Sequence, residues 1–178
     1  MAKNKKSTPP KTKVEVKPVG VEFYFDKFAA SHQNPLNKLM QIIGVPLLVF
    51  GVFGLVWAIP FPYIKFLGKY NEDFNWSSFL IAISIYYYLK LSPVLSYIVL
   101  FILLAFSYLV MELLQWQHAG GPELFAVCSV MFVLACLLLY IGYKKEGKKL
   151  SFEYRYKNLL IAPLFLLHLV FRRFSLKY

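Results

Sequence analysis

The fold is decided by an apolar stretch at residues 39–60, which reads LMQIIGVPLLVFGVFGLVWAIP. Gln41 is its only strongly polar side chain, and about 20 apolar residues in a helix cross the hydrocarbon core of a bilayer. Pro46 and the three glycines would weaken this helix in water, but a membrane helix tolerates them where its neighbours pack closely. The stretch is therefore the first predicted membrane span.

Three further predicted spans follow along the chain, at about 76–89, 91–114 and 124–143. Lys90 and Pro93 interrupt the apolar sequence between the second and third spans, and glycine and proline residues separate the third from the fourth. Residues 158–171 (NLLIAPLFLLHLVF) are too few for a straight crossing, so we expect a re-entrant or interfacial segment there. A tilted fifth span is the alternative. The fold class is all-α integral membrane, with about four transmembrane helices.

The composition of the whole chain agrees with a lipid environment. Of the 178 residues, 58% are hydrophobic and 16% are charged, whereas soluble chains average about 45–50% apolar and about 25% charged residues. The net charge of +11 comes from lysines and arginines outside the apolar stretches. This distribution is typical of membrane orientation and does not favour nucleic acid as a partner. We expect the N-terminal tail, the Lys90 turn, the loop at 144–157 and the C-terminus on one side of the bilayer.

The N-terminal region has two parts of different character. Residues 1–20 are rich in lysine and proline and contain almost nothing that could be buried, which predicts a disordered basic tail. Residues 21–38 interleave aromatic and polar side chains, which predicts an interfacial helix ending near Asn34 and Pro35. Residues 21–178 are expected to form a single helical membrane domain.

The densest group of polar side chains beside a span lies at residues 31–41, SHQNPLNKLMQ. The imidazole of His32 could ligate iron or zinc, or it could contact a lipid headgroup together with Asn34 and Asn37. The alternative is a capped and solvated helix start, because one histidine cannot hold a catalytic metal without further ligands. Spacing alone leaves both interpretations open.

Two other features of the apolar stretches bear on possible sites. Glu112 is the one acid within a predicted span, and intramembrane acids are functional candidates. Its position within a turn of Trp116 is equally compatible with a side chain that reaches the interface. Cys128 and Cys136 are eight residues apart in one helix, a spacing that excludes a disulfide, so packed thiols are expected.

Several motifs resemble the membrane family typified by the fungal 2-hydroxy fatty acid dioxygenase, and the bacterial relatives of that family look closer still. The resemblance covers most of residues 22–178 and is carried by 31–39 (SHQNPLNKL), 57–60 (WAIP), 87–93 (YYLKLSP) and 141–149 (IGYKKEGKK). The fungal member is an iron(II)-dependent enzyme of the endoplasmic reticulum that shortens 2-hydroxy fatty acids by one carbon with dioxygen. The resemblance implies this chemistry where the metal ligands persist.

Two histidines of the family pattern are replaced in this chain. The opening motif ends on Gln41 instead of histidine, and the later Gly-His pair falls on Gly142 and Tyr143. The resemblance therefore implies the remnant of a lipid or metal site, made of His32, Asn34, Asn37, Gln41, Tyr143 and Glu146. His118 and His168 could substitute as ligands, although packing or headgroup contact is the alternative for both.

These observations lead to one expected function and one alternative. We expect a non-catalytic family member that serves as an accessory or structural subunit, or as a lipid-binding element, of a membrane complex such as a respiratory one, with no cofactor. The alternative is an active dioxygenase of fatty acid α-oxidation that binds Fe(II) through His32. A transporter or channel is disfavoured because the spans lack paired charges.

The expected partners are membrane lipids and other membrane protein subunits. The expected location is the mitochondrial inner membrane or endoplasmic reticulum of a eukaryote, or the plasma membrane of a bacterium.

Overall fold

The computed structural model describes residues 21–71, 74–147 and 152–173, with the side chains of 69–71 and 152–157 excepted. This part of the chain is helical and contains no strand. The helices are α1 (Val21–Ser31), α2 (Pro35–Trp57), α3 (Trp76–Leu91), α4 (Pro93–His118), α5 (Leu124–Glu146) and α6 (Phe152–Arg173), with a 3₁₀ segment at Lys65–Asn71. The predicted all-α class is confirmed. The predicted disorder of the tail lies outside the described residues.

Three of the described helices, α2, α4 and α5, are long and apolar enough to cross a membrane. They correspond to the first, third and fourth predicted spans and agree with an integral membrane protein. Helix α3 has 16 residues, and at about 1.5 Å per residue it is shorter than the roughly 30 Å of hydrocarbon in a bilayer. The second predicted span is therefore a helix too short for a straight crossing.

The break between α1 and α2 differs from the predicted one. Helix α1 ends at Ser31, and α2 already begins at Pro35, so residues 35–38 belong to the membrane helix. Asn34 is the N-cap, and its side chain accepts a hydrogen bond from the Leu36 N–H at 2.9 Å. Proline suits the first helical position because its missing N–H would have no partner there. Asn34 and Pro35 therefore start a helix.

Helices α2 and α5 run antiparallel along a seam of closely packed backbone. The glycine seam, as we call it, contains Gly44, Gly51 and Gly54 of α2 and Gly142 of α5. A Cβ atom at Gly51 would lie 3.0 Å from the backbone nitrogen of Phe132, and one at Gly54 would overlap the Cys128 sulfur. These contacts explain why glycines, which disfavour helices in water, lie within the first span.

Helix α3 is connected to α2 and to α6 by side-chain hydrogen bonds to backbone carbonyls. The Ser77 hydroxyl donates to the Phe53 carbonyl at 2.9 Å and fixes the start of α3 beside α2. The Tyr88 hydroxyl donates to the Leu160 carbonyl at 3.0 Å and joins the end of α3 to α6. Helix α6 continues through Pro163, so the predicted segment at 158–171 lies within a longer helix of 22 residues.

Candidate functional site

The carboxylate of Glu146, at the end of α5, is the centre of a hydrogen-bonded cluster at the start of α2. One oxygen accepts from the Gln33 backbone N–H at 2.9 Å. The other accepts from the Asn34 backbone N–H and from the Asn37 side-chain amide, both at 3.0 Å. The first N–H groups of a helix have no partner within the helix and attract negative charge. This cluster, the Glu146 clamp, therefore joins the two antiparallel helices at one end.

Asn37 is the most deeply buried member of the clamp, with 1% of its surface exposed. Its side-chain amide nitrogen binds Glu146, while its Oδ1 atom has no hydrogen-bond donor among the described residues. A Cβ atom at Gly142 would lie only 2.7 Å from this oxygen. Glycine at position 142 therefore allows the buried amide to approach α5.

His32 directly precedes the clamp but has a different environment. Its Nδ1 atom lies 2.9 Å from the Phe28 carbonyl oxygen, and its ring stacks on the Phe28 ring at 4.1 Å. A carbonyl oxygen only accepts, so this contact assigns the imidazole proton to Nδ1. The neighbouring Ser31 hydroxyl accepts a hydrogen bond from the Asn158 amide of α6 at 3.2 Å. This group therefore ties the end of α1 to α6.

A cavity of about 260 Å³ lies between α1, the start of α2 and α6. We call it the histidine cavity, and its lining comprises Phe25, Asp26, Ala29, His32, Lys38, Phe165, His168, Leu169 and Arg172. The His168 ring packs on the Phe25 ring at 4.7 Å. Burial and the nearby Arg172 lower the pKa of His168, while Glu22 and Asp26 act in the opposite direction. The cavity thus combines two imidazoles with charges of both signs.

Iron(II), the metal that the resemblance implies, does not fit this set of donors. His32, His168 and Asp26 all line the cavity, but Lys38 and Arg172 bring two cations beside them. Iron(II) sites combine several imidazoles or carboxylates. Within the described ranges, no three His, Cys, Asp or Glu side chains come close enough to hold a metal ion.

The other residues predicted for a site are distributed over the molecule. Gln41 and Tyr143 are half-buried beside the clamp. His118 is exposed at the end of α4. Glu112 is exposed on α4 and lines an apolar groove of about 570 Å³ between α2 and α4. The structure thus brings together Asn34, Asn37 and Glu146 in the clamp, and it places His32 with His168 in the lining of the histidine cavity.

Three residues that line the cavity, Asp26, Lys38 and Arg172, are not among the residues predicted for a site. Helical spacing gave a usable signal, because Phe25 and Phe28 lie three residues apart on α1 and His32 continues the pattern four residues later, just past the end of the helix. The cations were harder to find, because pairing Lys38 with Arg172 depends on how α6 returns to the start of α2.

Comparisons with known proteins do not identify this arrangement. No family model matches the chain, and no match is found among the curated proteins or the solved structures. Function is therefore inferred from the chemistry of the clamp and the cavity, together with the motif resemblance.

Proposed function

We propose that this chain is a non-catalytic member of the 2-hydroxy fatty acid dioxygenase-like membrane family. It serves as an accessory or structural subunit, or as a lipid-binding element, of a membrane protein complex such as a respiratory one. The observation that carries the proposal is the Glu146 clamp. Asn34, Asn37 and Glu146, three polar residues of the family-like motifs, are hydrogen-bonded in a cross-helix joint.

The two replaced motif positions support the same proposal. Gln41 and Tyr143 offer an amide and a phenol where the family pattern has imidazoles. Imidazole suits iron, whereas a neutral amide is a weak ligand for it. The scaffold function needs only the helices and the clamp, both of which tolerate these replacements.

The outer surface supports a role within a membrane. Of the 18 most apolar consecutive residues of α4, only 28% are buried within this chain, and the corresponding share for α5 is 17%. Lipid or a neighbouring subunit would cover the rest. In the proposed arrangement α1 lies in the interface, α3 is the fourth membrane helix with the bilayer thinned around its 16 residues, and α6 is re-entrant or interfacial. The proposed location is the mitochondrial inner membrane or endoplasmic reticulum, or a bacterial plasma membrane.

The test is purification in a mild detergent, with metal content and co-purifying proteins measured on the same sample by mass spectrometry. We expect a constant set of partner subunits and substoichiometric iron. Stoichiometric iron that disappears in the His32→Ala variant would contradict the non-catalytic assignment.

One observation favours an active Fe(II)-dependent dioxygenase as the second candidate. His32 donates its Nδ1 proton to a backbone carbonyl, as metal-ligating histidines commonly do with the ring nitrogen that does not bind the metal. Incubating the protein with iron(II), dioxygen and a 2-hydroxy fatty acid tests it. A product one carbon shorter, absent with folded His32→Ala protein, would establish this candidate in place of the first.

A further inference from the structure

Charged side chains line the histidine cavity and the groove beside it, and among the described residues around them the cations outnumber the acids. Lys38 comes from α2 and Arg172 from α6, and both side chains are exposed. Asp26 is the one carboxylate of the lining, and among the described residues neither cation forms an ion pair. Glu22 of α1 also acts on His168, and Arg173 lines the groove next to the cavity, so three cations face two acids, an excess that suits an anion.

An apolar groove of about 650 Å³ adjoins the histidine cavity, between α2 and α6. Ile42 and Pro46 line it from α2, and Leu169 and Val170 line it from α6. The groove and the cavity share Leu169 and Arg172 in their linings. A ligand could therefore place a charged group beside Arg172 and an apolar chain along the groove. The volume lies within the range of small-molecule sites, about 300–1,000 Å³.

We infer that the histidine cavity and the adjoining groove together bind one anionic phospholipid. Its phosphate lies between Lys38 and Arg172, and one acyl chain lies against Ile42 and Leu169. This inference deepens the lipid-binding part of the proposed function and rests on it. The guanidinium of Arg172 offers paired N–H donors that match phosphate oxygens, and Lys38 adds a point charge from the opposite helix.

The charge pattern favours an anionic phospholipid over a zwitterionic one. A choline headgroup would bring its own cation toward Lys38 and Arg172, whereas a glycerol headgroup brings none. Each basic side chain near an anionic lipid surface contributes roughly a fivefold increase in affinity. The inference therefore predicts selectivity for phosphatidylglycerol over phosphatidylcholine.

The experiment is native mass spectrometry of the protein with its co-purified partners, titrated with phosphatidylglycerol, phosphatidylcholine, oleate or inorganic phosphate. The Lys38→Gln/Arg172→Gln variant should lose affinity for phosphatidylglycerol by roughly 25-fold. A matched control, Lys90→Gln/Lys144→Gln, removes the same charge outside the histidine cavity and the adjoining groove, and it should retain the affinity for phosphatidylglycerol.

A third variant tests the groove without changing charge. Ile42 is 52% exposed, so Ile42→Trp can fill the groove while leaving the helix packed. We expect this variant to bind phosphatidylglycerol several-fold more weakly, because the added ring occupies the space of the acyl chain.

The inference is overturned by equal binding of the two phospholipids, by equal losses in the two double variants, or by displacement of phosphatidylglycerol by equimolar inorganic phosphate. Oleate that binds as tightly as phosphatidylglycerol would also overturn it, in favour of a fatty acid site. Each of these results, obtained with partner subunits still attached, leaves the subunit proposal standing. If the protein purifies without partner subunits but still selects phosphatidylglycerol, the subunit proposal fails and the phospholipid inference stands.

Discussion

The glycine seam and the contact between α1 and α6 hold helices together by different means. Along the seam, glycines bring backbones so close that a single methyl group at Gly54 would overlap the Cys128 sulfur. Between α1 and α6, the rings of Phe28 and Phe165 meet at 4.5 Å, and a cavity of about 260 Å³ lies beside them. Close-packed interiors leave no room for a ligand. The seam is therefore suited to stability, and the aromatic contact is suited to binding.

The largest expected effect comes from adding a methyl group to the seam. Gly54→Ala should destabilise the protein by about 3 kcal/mol, because overpacking forces the helices apart. Thermal unfolding in detergent, followed by tryptophan fluorescence, measures it. Combining Gly54→Ala with Cys128→Ala should recover most of the stability, since the sulfur is then absent, and Cys128→Ala alone is the control. A double variant no more stable than Gly54→Ala would show that the clash is not the cause.

The second effect concerns the clamp at the end of the seam. Glu146→Gln should cost about 2 kcal/mol, because the charged acceptor is lost and an amide NH₂ group meets N–H donors. The same unfolding assay measures it. Glu123→Gln is the matched control, because Glu123 caps α5 without a side-chain hydrogen bond. Equal shifts in both variants would mean that negative charge in general, and not the clamp, stabilises the protein.

The smallest expected effect is a pH dependence of the stability, which arises from His168 at the contact between α1 and α6. The lowered pKa of His168, which lies outside the three candidate spans, means that the folded state binds its proton less readily than the unfolded state does. Its contribution to stability is therefore complete above about pH 6.5 and decreases as the pH falls toward the lowered pKa. The charged and titratable groups around it are Arg172, Glu22, Asp26, Lys38 and His32.

Unfolding measured between pH 7.5 and 5 checks this expectation. His168→Gln should flatten the pH dependence, whereas His118→Gln, at an exposed position, should leave it unchanged. A pH profile that is the same in His168→Gln and in the unmodified protein would assign the dependence to other groups, such as His32.

The helices could be predicted from the sequence because a membrane span needs a long apolar stretch and little else. Residues 39–60 and 124–143 fall within or close to α2 and α5 for this reason. Helix α2 begins at Pro35, four residues before the predicted span, because proline suits a first helical position as well as the end of a helix.

The two clusters were harder to predict because both depend on tertiary contacts. Glu146 meets Gln33 across 113 residues, and local spacing gives no sign of which acid returns to the helix start. The motif resemblance grouped Glu146 with Asn37, and the two are hydrogen-bonded. It also grouped His32 with them, but the His32 ring, just past the end of α1, stacks on the Phe28 ring instead.

The separation between Gln33 and Glu146 also has a consequence for biosynthesis. The Glu146 carboxylate is made 113 residues after the N–H group that it binds. At about 5–20 residues per second, Glu146 is synthesised roughly 6–23 s after the start of α2. During that interval water, lipid headgroups or an insertion factor must occupy its N–H groups. The clamp can therefore close only after α5 has been synthesised, which makes it a late step in assembly.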